Sequence, residues 1–119
     1  MPAKVQATDS EWETISEGAR PQVSFNEIGD RLVGIFAGTQ EITPDDGEDP
    51  WTQYLFDDVQ FPENLRGENV AVNAGYDLRK QLDGLPPHEW WIDTTYVKDV
   101  PVKGWPSPMH SHKTLRKRV

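Results

Sequence analysis

Only one stretch of this chain has helical spacing, and it is seven residues long. In Tyr76-Asp77-Leu78-Arg79-Lys80-Gln81-Leu82 the two leucines stand four apart, Gly75 precedes the run and Gly84 can end it. Almost every other apolar run is short, rich in β-branched or aromatic residues, and punctuated by glycine or proline. A chain patterned in this way can bury its side chains only in a mainly β architecture.

The strands are read as follows. Gln22-Val23-Ser24-Phe25 alternates, and Glu27-Ile28-Gly29-Asp30 is a turn. Arg31 to Ile42 is a long strand interrupted by Gly34 and Gly38, where a bend or bulge is expected. Trp51 to Val59 follows an acidic, proline-bounded loop, and Asn69 to Ala74 makes a short strand. Trp90 to Val97 is the most apolar run. Its alternation puts Trp90, Ile92, Thr94 and Tyr96 on one face and Trp91, Asp93, Thr95 and Val97 on the other. Trp90 and Tyr96 are assigned to the core. A loop from Pro101 to Met109 leads to a final basic strand, His110 to Val119. Residues 1–20 are expected to be loosely ordered, with Trp12 and Ile15 as anchors, and residues 21–119 to form one domain.

A helix between the third and fourth strands of a small barrel is the layout of the OB-fold. The expected fold is therefore a five-stranded OB barrel with one short helix and an additional N-terminal strand. Its core must lean on aromatics, since only 35% of the 119 residues are hydrophobic, among them five Trp, four Phe and three Tyr.

Several functions are set aside by what the chain lacks. There is no cysteine, hence no disulfide, thiolate metal site or cysteine nucleophile. No phosphate loop, GxGxxG, Gly-x-Ser-x-Gly or HExxH occurs. His110 and His112 share a strand face but have no matched third ligand, so neither a metal nor any other cofactor is expected. No apolar run reaches the roughly 18 residues that would span a bilayer, and Met1 to Ser10 has no apolar signal core. A cytoplasmic, non-catalytic protein is the expectation.

Order and composition together resemble a known group. The residues are Gly29-Asp30-Arg31-Leu32-Val33-Gly34-Ile35-Phe36-Ala37-Gly38, then Tyr54-Leu55-Phe56-Asp57-Asp58. After them come Ala74-Gly75-Tyr76-Asp77-Leu78 with Leu82, then Thr95-Tyr96-Val97-Lys98 and the basic last strand. Over residues 20–119 the chain resembles small bacteriophage OB-fold proteins akin to phage single-stranded-DNA-binding proteins. The resemblance implies a barrel that manages single strands during phage replication or recombination.

Single-strand binding needs aromatic platforms and cations along the backbone path. The net charge of −8 is unevenly spread: residues 1–50 carry −8, residues 51–97 carry −5 and residues 98–119 carry +5. The candidate nucleic-acid-binding residues are Trp51 and Tyr54 on the second barrel strand, Lys98, Lys103 and Trp105 in or beside the last loop, and Lys113 and Arg116 on the final strand. Trp105 leads, because Gly104 and Pro106 argue for a stiff exposed loop. Tryptophan is also enriched at protein-binding hot spots. The alternative function is thus a docking scaffold for phage or host replication proteins, or for a second copy of the chain.

Overall fold

A computed structural model describes residues 19–119. The expectations for residues 1–18, including Trp12 and Ile15, lie outside the described residues. The described residues are mainly β with one α-helix. Its strands are β1 (Gln22–Val23), β2 (Arg31–Ile42), β3 (Trp51–Phe61), β4 (Val70–Val72), β5 (Trp90–Val100) and β6 (Met109–Arg118). Helix α1 (Tyr76–Leu82) lies between β4 and β5, and a 3₁₀ turn, Glu63–Leu65, follows β3. Among the described residues no helix is long and apolar enough to cross a membrane.

The six strands form one sheet in the order β1-β4-β3-β2-β5-β6, antiparallel throughout except that β1 runs parallel to β4. Leu32 and Phe36 from β2, Tyr54 and Phe56 from β3, Ile92 and Tyr96 from β5, and Leu78 and Leu82 from α1 meet in a single core. The inward side chains follow the period-2 rule, with two phase changes. At Gly38 (φ +101°) β2 takes an extra residue between its pairings with Phe56 and Leu55. On β3 the left-handed Asp58 (φ +49°) resets the alternation, so that buried Tyr54 and Phe56 are followed by Val59. Gly34 serves a different need. A Cβ there would lie 3.3 Å from the Asp57 carbonyl oxygen and 3.3 Å from a Val59 methyl, so β2 and β3 cross closely only because it is absent.

The expected closed barrel is not formed, and the reason lies at the sheet edges. Closure would need β4 and β6 to offer free edges to each other. The outer edge of β4 is taken by β1. On β6 the His112 N–H donates to the Asp77 carboxylate (2.8 Å), and its carbonyl accepts from Gln81 Nε2 (3.0 Å). Side chains of α1 therefore satisfy the backbone groups that a closing strand would have bonded.

The same contact buries a polar cluster. Thr94 Oγ1 lies 2.9 Å from His112 Nδ1 and 2.8 Å from Thr114 Oγ1, and Thr114 also bonds Gln81. Phe25 meets the His112 ring edge-on at 4.7 Å, and Tyr96 stacks near it. Burial holds the His112 imidazole below the ordinary histidine value; Asp77 opposes that shift and His110 adds to it. The unfolded chain therefore takes up the proton more readily. Stability contributed by neutral His112 is complete above about pH 6.5 and declines as the pH falls towards the depressed folded value. Urea titrations between pH 7.5 and 5 should show a midpoint falling with acid, with a shallower dependence in His112→Gln. An equal slope in the two proteins would show that His112 contributes nothing to it.

Candidate nucleic-acid interface

The outward face of the sheet is set by the residues that alternate with the core. On β5 these are Trp91, Asp93 and Thr95, paired across the hairpin with Lys117, Leu115 and Lys113. From β2 come Arg31, Val33 and Ile35, whose register partners on β5 are Thr95, Asp93 and Trp91. A cleft of about 350 Å³ opens here, its walls formed by Arg31, Val33, Trp91, Leu115 and Lys117. The floor is apolar, and the rim carries Arg31 and Lys117 together with the Asp93 carboxylate.

Arg31 and Asp93 hold that rim through a fork of two bonds, Nε to Oδ1 at 2.9 Å and Nη2 to Oδ2 at 2.8 Å. The hydrogen bond to Arg31 keeps the Asp93 carboxyl below its ordinary range, so the carboxylate persists. The guanidinium also sits 5.1 Å from the centre of the Phe61 ring. Along the row Lys117, Trp91, Ile35, Asp57 the sheet passes from basic to acidic, where Asp57 is bonded to Arg20 at 2.7 Å. The basic face therefore belongs to β5, β6 and the start of β2.

Behind the hairpin stands Trp90, half-buried against the core. The guanidinium of Arg116 lies 4.2 Å from its ring centre and that of Arg118 4.1 Å, and Arg118 is also bonded to Glu89 at 2.9 Å. Lys113 and Arg116, expected to line one groove, thus fall on opposite faces. Three residues along a strand is an odd number of steps.

The loop between β5 and β6 carries Lys103 and Trp105. The Trp105 ring is 44% exposed and meets Tyr76 edge-to-face at 5.5 Å, while Lys80 Nζ lies 5.1 Å from the Tyr76 ring centre. A second cleft, about 360 Å³, lies among Tyr76, Trp105, Pro106, Pro108, Met109 and His110. Trp51, 42% exposed, donates its indole N–H to Asn73 Oδ1 at 3.2 Å. The short segment from Asn73 to Tyr76 therefore touches both loop-end tryptophans, bringing Trp51 and Trp105 to a common neighbour.

Lys98 and Lys103 are exposed nearby in sequence, Lys98 at the β5 register shift after Tyr96. Tyr54 does not belong to this surface. It is 4% exposed, packs in the core with Phe36 and donates its hydroxyl to Asp83 at 3.0 Å. The acidic loop at 43–50 is an exposed turn in which Asp46 Oδ1 accepts the Glu48 N–H (3.2 Å). His110 stacks on Tyr96 at 4.3 Å, and Tyr96 donates to Asp99, which pushes its hydroxyl pKa up to about 12. Among the described residues no three His, Asp or Glu side chains gather as a metal site would require.

Arg31, Trp91 and Lys117 were not among the sequence candidates. Alternation does turn Trp91 outward, but its neighbours on the face are supplied by two other strands. Comparison with protein-family models, curated proteins and solved structures finds no match for this chain.

Proposed function

We propose that this chain is a non-catalytic binder of single-stranded DNA, acting in phage replication or recombination in the host cytoplasm, and that its sheet is an OB-type barrel left open. The strand order supports the fold reading. Counted from β2, the neighbours β4-β3-β2-β5-β6, with a helix between β4 and β5, correspond to an OB ring opened between its third and fifth strands.

The observation that carries the functional reading is the outward face of the β5–β6 hairpin. An indole, an isopropyl and an isobutyl group (Trp91, Val33, Leu115) form a floor for bases there, with Arg31, Lys113 and Lys117 placed to meet phosphates. Base-on-aromatic stacking contributes about 1–3 kcal/mol per base and is indifferent to sequence. A chain with net charge −8 repels polyanions elsewhere on its surface, so binding should be confined to this patch.

The test is titration of tryptophan fluorescence with unstructured oligo-dT at low and moderate salt. Quenching is expected, with log K falling against log salt at a slope of about −2 for three neutralised phosphates. A flat titration at low salt ends this reading. The exposed Trp105–Tyr76 pair with its proline rim would then favour docking of a protein partner.

A further inference from the structure

The outer edge of β6 is only partly covered. Pairing across the hairpin sets Tyr96 opposite His112 and Thr94 opposite Thr114, then Ile92 opposite Arg116 and Trp90 opposite Arg118. The His112 N–H and carbonyl point away from β5, since Asp77 and Gln81 bond them from α1. With a period of two, the backbone groups of Thr114, Arg116 and Arg118 point the same way. The Val119 N–H, odd in this count, turns inward to the Glu89 carbonyl at 3.1 Å, as the alternation requires. Among the described residues no bond is made to the outward groups of these three residues.

Beside this bare edge lies a cleft of about 490 Å³ that includes Gln81, Leu85, Ile92, Thr114 and Arg116. A strand added to β6 would turn every second side chain to the cleft side, over Thr114 and Arg116. The Arg116 and Arg118 side chains lie on that same side, over Trp90.

We infer that Thr114–Arg118 of β6 is a docking edge for an extended acidic peptide, one that alternates carboxylates with small apolar residues. Unpaired N–H and carbonyl groups in register recognise another peptide backbone, which a nucleic-acid strand does not offer. A second copy of β6 would set Lys113, Arg116, Lys117 and Arg118 against their own kind, and like charges facing across strands repel. With its carboxylates on the cleft side, an acidic strand meets Arg116 and Arg118 with opposite charge and turns its apolar residues to the other face. The site is separate from the outward face assigned to DNA and does not depend on that assignment.

The probe is the capped hexapeptide (Glu-Val)₃, added to the full chain while amide exchange is followed by NMR. Slowed exchange at the Thr114, Arg116 and Arg118 amides is expected. Binding should weaken about tenfold or more when Arg116→Glu and Arg118→Glu are combined. The unaltered chain supplies a second measurement that needs no variant: the same hexapeptide N-methylated at alternate residues should not protect these amides. The inference is overturned if (Lys-Val)₃ binds as well as (Glu-Val)₃, or if protection maps elsewhere. It is equally overturned if these amides are protected by self-association without peptide, or by oligo-dT in its place.

Discussion

Phe56→Ala is expected to destabilise the protein by about 3–5 kcal/mol, a large part of the roughly 5–15 kcal/mol that holds a domain together. Phe56 is fully buried where three strands converge, paired with Phe36 on β2 and Val70 on β4. Its ring meets Phe36 edge-on at 5.7 Å, and its Cβ lies 3.4 Å from the position a side chain would occupy at Gly34. Removing the ring leaves a cavity that this close crossing of β2 and β3 cannot collapse to fill. Urea denaturation at pH 7.5 measures the loss. A decrease below about 1 kcal/mol would mean that the β2–β3 crossing relaxes freely, contrary to the packing described.

Trp91→Ala is expected to weaken oligo-dT binding by about 1–3 kcal/mol, or roughly 5- to 150-fold, with little change in the unfolding midpoint. Anisotropy of a labelled oligonucleotide is the suitable readout, since the substitution removes part of the intrinsic signal. Lys113→Ala with Lys117→Ala should reduce the salt slope by about 1.4, that is, by two phosphate contacts. Arg116→Ala should leave that slope unchanged, because its guanidinium lies behind the hairpin over Trp90. The two faces of β6 thus make opposite predictions. If Arg116→Ala flattened the slope and the lysine pair did not, the outward face would be the wrong one.

Much of the chain's local structure is legible in its sequence. The β2 run from Arg31 to Ile42 and the α1 run from Tyr76 to Leu82 coincide with the observed elements. β5 and β6 differ from expectation by a few residues at their ends, and only Gln22–Val23 of the first run pairs as a strand. The bends anticipated at Gly34 and Gly38 both fall at register irregularities between β2 and β3, Gly38 with positive φ and Gly34 where the two strands also cross closely. Among the site candidates, the exposure of Trp105 followed from its glycine and proline neighbours. Period two places Tyr54 on the face of Phe56, but its packing on Phe36 and the Asp83 partner 29 residues away that accepts its hydroxyl in the core are not visible in its local sequence.

Alternation and helical spacing are properties of consecutive residues, so the sequence alone determined which side chains share a face: Ile92, Thr94 and Tyr96 inward, Trp91 and Asp93 outward. It also determined that the last 22 residues are basic and that a short helix at Tyr76–Leu82 interrupts the strands. The tertiary structure decided which faces meet. Arg31, Trp91 and Lys117 come from three strands and become neighbours only through register. The open sheet was decided in the same way. Asp77 and Gln81 read as an ordinary polar helix face until α1 packs on β6, where they satisfy the His112 backbone while β1 occupies β4. Backbone N–H and carbonyl groups are the same in every residue, so no local pattern states which partner will satisfy them.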